Sequence, residues 1–147
     1  MKKLFIYYSL TGNGDVVADY FKDKGYEIRK VISKHRLPKN FFLSMMVGGF
    51  KAATNKKDKL VDFDKDIANY DRIVIGSPIW FDRTCSPINT VLNELDIDNR
   101  FSFVFYSSGG EANNASKKIK NLYNIDSIIL RSPKDNKKEL DKLKNIK

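Results

Sequence analysis

Six consecutive residues near the N-terminus, Ser9-Leu10-Thr11-Gly12-Asn13-Gly14, are of the types that hold an anion. They follow an apolar run and open a segment of helical period. Small residues let the backbone wrap a charged group. The first N–H groups of a helix have no intrahelical partner and lie at the positive end of its dipole. Ser9, Thr11 and Asn13 add side chains that can donate hydrogen bonds, so the chemistry is that of a phosphate site. Two common nucleotide patterns do not fit. No Gly-Lys-Ser/Thr follows, and Val17 stands where the third glycine of a dinucleotide fingerprint belongs. An ordinary glycine turn with a cap accounts for the same residues without a ligand. Asp15 suits a helix start but would repel a phosphate if turned inward, so it is expected to face solvent.

A second group is Gly76-Ser77-Pro78-Ile79-Trp80-Phe81. Trp80 and Phe81 fall in a loop rather than in a periodic core pattern. They offer a flat apolar surface for ring stacking, worth ~0.5–1.5 kcal/mol beyond burial. The alternative is a tryptophan that closes the core. A third group, Ser107-Ser108-Gly109-Gly110-Glu111, has glycines that admit close approach of backbone N–H groups. Ser108 and Glu111 also have the spacing of a capping box. Ser86 before Pro87 reads as a helix cap and first turn. Cys85 reads as a small packing residue. The single histidine, His35, has no partner that marks it as catalytic and is assigned to the surface.

These loops need rigid elements behind them. Residues 4–8, 73–75, 101–106 and 128–130 are largely apolar runs of strand length, and residues 26–32 are the second strand candidate. Between them, Val16, Val17, Tyr20 and Phe21 recur at helical spacing up to Gly25, a plausible C-cap. Ile88, Val91, Leu92 and Leu95 form an amphipathic stripe. Ala115, Ile119 and Leu122 mark another helix, and Leu140, Leu143 and Ile146 a last one. Continuous apolar strands alternating with helices indicate a parallel sheet covered on both faces, a doubly wound α/β sandwich. Such sheets bind ligands beyond the carboxyl ends of their strands, where all three loops fall.

The chain has 147 residues, 41% of them hydrophobic. It is read as one domain, residues 1–147, with enough burial for a substantial core. One cysteine makes neither an internal disulfide nor a zinc site. The first apolar run is too short for a signal peptide, and no stretch is long enough to span a bilayer. A cytoplasmic location is therefore expected. The 27 Lys and Arg against 18 Asp and Glu give a formal charge of +9. The lysines are spread along the chain without the basic-and-aromatic motif of a nucleic-acid module, so neither nucleic acid nor membrane is expected as a partner. Residues 41–50, from Phe41 to Phe50, are expected to form a short helix or lid over the sheet, or a mobile apolar cover.

The three loops together resemble the flavodoxin family. Its phosphate loop runs Thr/Ser-x-Thr-Gly-Asn-Thr after the first strand; Ser9, Thr11, Gly12 and Asn13 match, and Gly14 replaces the usual threonine. The resemblance implies a three-layer sandwich around a five-stranded parallel sheet in the order 2-1-3-4-5. It implies noncovalent FMN, with Ser9, Leu10, Thr11, Gly12, Asn13 and Gly14 around the phosphate. Ser77, Pro78, Ile79, Trp80 and Phe81 would flank the isoalloxazine, with Trp80 stacking on it and Phe81 in second place. Ser107, Ser108, Gly109 and Gly110 would meet its polar edge. Asp82 stands where the family often has glycine; aspartate tolerates left-handed backbone, so the turn is expected to survive.

This similarity implies an electron-transfer protein, with a redox protein or small-molecule acceptor as partner. An FMN-dependent NAD(P)H:quinone-type reductase would use the same site. A flavin-less interaction module, with Gly14 and Asp82 as signs of loss, is the third reading. Many flavodoxins are acidic. In this basic chain Arg83, beside the stacking loop, should raise the low-potential couple, a unit charge at ~8 Å contributing about 2 kcal/mol.

Overall fold

Side-chain alternation along the strands decides which half of the core each residue enters. In β1 (Lys3–Tyr7), Leu4 and Ile6 face one side of the sheet and Phe5 and Tyr7 the other. In β3 (Arg72–Pro78), Ile73 and Ile75 oppose Val74. In β4 (Phe101–Ser107), three phenylalanines at 101, 103 and 105 oppose Val104 and Tyr106. Both faces are therefore apolar, and both need a helical cover. The computed structural model describes residues 1–34, 40, 57–107, 109 and 112–147. The expectations for His35, for residues 41–50, for Ser108 and Gly110 and for the Ser108–Glu111 capping box lie outside the described residues.

With β2 (Glu27–Lys30) and β5 (Ser127–Arg131), the strands form one parallel sheet in the order β2-β1-β3-β4-β5. The register runs Leu4 to Glu27 and to Ile73, Ile75 to Phe103, and Phe105 to Ile129. This is the doubly wound order expected from the resemblance. Helix α1 (Asn13–Asp23) covers the Phe5 face through Val17, Ala18 and Phe21. It ends at Gly25 (φ 80°), with Gly25 N donating to Lys22 O and Tyr26 N to Phe21 O, a Schellman stop. Helices α2 (Ser86–Glu94) and α3 (Asn113–Tyr123) cover the other face through Ile88, Val91, Ala115 and Ile119.

Two local expectations are corrected. Helix α2 begins at Ser86, with Cys85 in the capping position. The Ser86 hydroxyl donates instead to the buried Asp58 carboxylate, 3.1 Å away. The final helix is a 3-10 helix, Lys137–Asn145. Leu140, Leu143 and Ile146 all pack toward the Phe5 cluster. Their spacing of three is the 3-10 period, which stacks them on a single line. No helix among the described residues is long and apolar enough to cross a membrane.

Candidate functional site

The carboxyl ends of β1, β3, β4 and β5 are joined by hydrogen bonds into one mouth. Tyr8 N donates to Gly76 O and Ile79 N to Tyr106 O. The Tyr106 hydroxyl donates to Tyr8 O, and Ser132 N to Ser107 O. The first loop is therefore held against the ends of its neighbours.

Within that loop Gly12 adopts φ 96° at the N-cap of α1, a conformation that favours glycine. The Ser9 hydroxyl oxygen stands inside the turn and accepts from Gly12 N and Gly14 N, each at 3.2 Å. Ser9 thus organises the loop instead of only lining it. Asn13 is buried, and its Oδ1 accepts from the backbone N of Lys134 at 3.1 Å. Leu10 packs against the core. Gly14 leaves no room for a side chain, because a Cβ there would lie 2.7 Å from the Tyr106 hydroxyl oxygen and 2.9 Å from Ser9 Cβ.

Asp15 does not simply face solvent, as its place at the helix start suggested. Its Oδ1 accepts from the Tyr7 hydroxyl at 2.7 Å and from Lys30 Nζ at 2.8 Å. Partial burial pushes its pKa up, but the hydrogen bonds from Lys30 and Tyr7 outweigh that and leave the carboxyl below its ordinary value. A carboxyl depressed in the folded chain adds stability above the unfolded pKa and loses it as pH falls through the folded one. Asp15→Asn is therefore expected to make stability less steep below about pH 4, read from urea midpoints measured across that range. An unchanged acid limb would contradict the pairing.

The second loop reverses one expectation. Ile79 bridges to Thr84, Trp80 N donates to Arg83 O, and Arg83 N returns the bond to Trp80 O, both at 3.1 Å. The loop is a two-residue hairpin whose central residues, Phe81 and Asp82, take φ 50° and 55°. Aspartate does accept the left-handed geometry expected of it. The hairpin turns Trp80 inward, where it is 3% exposed with its ring edge-on to Tyr8 at 5.9 Å, and turns Phe81 outward, 66% exposed. Phe81, not Trp80, is the exposed aromatic at the mouth.

Ser77 also turns its side chain inward. Its side chain is buried, donating to Pro78 O and accepting from Cys85 N. Ile79 is likewise a core residue, while Pro78 is half-buried at the strand end. Burial pushes the Cys85 thiol up to about 12, which fits a packing residue. Among the described residues no group of His, Cys, Asp or Glu could hold a metal ion.

At the end of β4, the Ser107 hydroxyl oxygen accepts from Gly109 N at 3.3 Å. Gly109 takes φ 137°, and a Cβ there would meet nothing within 4 Å among the described residues. Helix α3 starts just beyond, and Asp82 caps it from across the mouth. The Asp82 carboxylate accepts from Asn114 N at 3.0 Å and from Ala115 N at 3.2 Å. That contact spans two loops and has no local sequence signal.

Comparison with known families decides the lineage: the flavodoxin family model matches residues 51–144. The chain belongs to the flavodoxin family. The match includes the second and third loops of this flavodoxin; the first loop lies outside it. Solved structures show the same fold. A proposed flavoprotein from Bacteroides eggerthii DSM 20697 superposes with TM-score 0.68 at 18% identity, over 95% of this chain and 96% of that one. A flavoprotein in complex with FMN from Lactobacillus acidophilus NCFM gives TM-score 0.66 at 23% identity, over 93% and 97%. A further proposed flavoprotein, from Bacteroides uniformis ATCC 8492, gives 0.68 at 19%, over 95% and 97%. Comparison with curated proteins returned no match.

Proposed function

We propose that this flavodoxin binds FMN noncovalently at the mouth and serves as an electron-transfer protein. The observation that carries the reading is the turn of residues 9–14 opening α1, held against the ends of β3 and β4. Its donors suit a phosphate ester: the amides of the helix start and the Thr11 hydroxyl. Asp15, the carboxylate that follows the turn, is paired with Lys30. The open space at Gly109 and the exposed Phe81 fit a planar ring system beside them. FMN would supply the redox chemistry, and the chain its seat, orientation and electrostatics.

An electron carrier is the reading that membership of the flavodoxin family supports. The partner is then a redox protein or a small acceptor that meets the exposed edge. Arg83, exposed on the same turn, would favour added negative charge on the flavin. Arg83→Ala is expected to lower the low-potential couple by tens of millivolts, up to on the order of 90 mV if the charge is ~8 Å away. A redox titration with unchanged potential would remove Arg83 from the account.

The deciding experiment is the visible spectrum and tryptophan fluorescence of the purified protein before and after FMN is added. Perturbed flavin bands and quenching of Trp80 are expected, with no steady NADH or NADPH turnover in the presence of a quinone. A protein that leaves the FMN spectrum unchanged would refute the binding site, and turnover would replace the carrier with the reductase.

A further inference from the structure

We propose that Lys134 is a phosphate-binding residue that makes this chain prefer FMN to riboflavin, an inference that rests on the flavin reading above. Lys134 lies in the turn after β5, a segment to which neither motif nor periodicity assigned a role. Its backbone N donates to Asn13 Oδ1 at 3.1 Å, and its Nζ donates to Thr11 O at 3.3 Å. Between these two contacts its stem crosses Gly12, where a Cβ would lie 3.5 Å from Cδ and 3.7 Å from both Cε and Nζ.

The placement is fixed by more than one surface contact. Ser132 takes φ 43° and donates its N to Ser107 O at 2.6 Å, while Asp135 N and Asn136 N close the turn onto Ser132 O. The turn is thus tied to the end of β4 on one side and to the start of α1 on the other. Lys134 is held over the loop by both.

Chemistry then gives the ammonium a task. The family's loop ordinarily offers a threonine hydroxyl at position 14; here that position is a glycine with Tyr106 filling its space. The Ser9 hydroxyl oxygen is engaged by Gly12 N and Gly14 N. Position 14 therefore contributes no hydroxyl to the loop. Lys134 carries three N–H donors and meets a neutral carbonyl in the loop, and Asp15, the carboxylate at the helix start, is already bonded to Lys30 and Tyr7. A small rotation of a four-carbon stem brings such a cation onto a phosphate oxygen, where a charge-assisted bond is about twice as strong as a neutral one. Riboflavin lacks the phosphate and would gain nothing from it.

The test is a fluorescence titration of wild type, Lys134→Gln and Lys134→Arg with FMN and, separately, with riboflavin, at low and at physiological salt. Lys134→Gln is expected to weaken FMN by about tenfold at low salt and by less at higher salt, as exposed charges are screened. Riboflavin binding should change less than twofold, and Lys134→Arg should keep most of the FMN affinity. Equal weakening of both ligands would show that Lys134 only braces the loop and would overturn the proposal, as would unchanged FMN affinity in Lys134→Gln. Wild type that binds neither ligand would bring down the flavin reading itself. Wild type that binds FMN while Lys134→Gln matches it would bring down this inference alone.

Discussion

Replacing Gly14 with threonine, the residue the flavodoxin loop ordinarily carries there, is expected to destabilise this chain by about 2–3 kcal/mol, not to improve its phosphate loop. The reason is volume. A Cβ at position 14 would stand 2.7 Å from the Tyr106 hydroxyl oxygen, 2.8 Å from Tyr106 Cζ and 2.9 Å from Ser9 Cβ. Tyr106 cannot swing away: it is buried on β4, and its hydroxyl is bonded to Tyr8 O. The gain in helix propensity from losing a glycine is a few tenths of a kcal/mol and cannot offset overpacking of 1–3 kcal/mol, to which the added methyl and hydroxyl contribute further. For a domain of this size the melting temperature should fall by roughly 5–10 °C. Tyr106→Phe should not rescue it, because Cζ remains, whereas in a Tyr106→Val background, itself destabilised by the vacated volume, adding Gly14→Thr should cost less than it does in wild type. A Gly14→Thr protein that melts at or above wild type would show that the loop yields and that Gly14 is not dictated by Tyr106.

Gly14 also shows how much of the site could be read from the chain alone. Its identity was visible, but the cause lies 92 positions away on another strand. The central strands were legible, because a sheet covered on both faces writes them as largely apolar runs; edge strand β2, Glu27–Lys30, carries only Ile28 among charged residues. The alternation that sends Phe103 and Tyr106 to opposite faces needed only the pleat. The loops could be placed at the strand ends for the same reason. Side-chain direction within them could not. Trp80 was expected to stack through the resemblance to the flavodoxin loop, but the Ile79–Thr84 bridge and the two left-handed residues set it inward and Phe81 outward. Ser77 reads as a polar loop residue, yet it ends a buried strand and serves the backbone of Cys85. Lys134 is one of 27 basic residues, and composition cannot single it out. Only the turn at Ser132 brings it to the loop.

The left-handed pair at the mouth yields the second large expectation, in which two adjacent substitutions move stability in opposite directions. Phe81 is a bulky side chain at φ 50°, a conformation costing about 1–2 kcal/mol outside glycine. Its ring is 66% exposed, so it recovers little by burial. Phe81→Gly removes that strain, loses roughly 0.5–1 kcal/mol to the freer unfolded chain, and should leave the fold about 0.5–1 kcal/mol more stable. Asp82→Ala instead keeps φ 55° while discarding the acceptor for Asn114 N and Ala115 N, the charged cap of α3. Loss of the cap and poorer tolerance of left-handed backbone should together cost about 2 kcal/mol. FMN binding separates the two effects further. Phe81→Gly should weaken it by about tenfold through loss of the exposed ring, although the protein is more stable. Strain held at a site that stability alone would have relaxed is what a functional turn is expected to show. Urea midpoints for both variants, set beside their FMN dissociation constants, check the pair. If Phe81→Gly lowers stability or leaves FMN affinity intact, the strained aromatic is not there for the ligand.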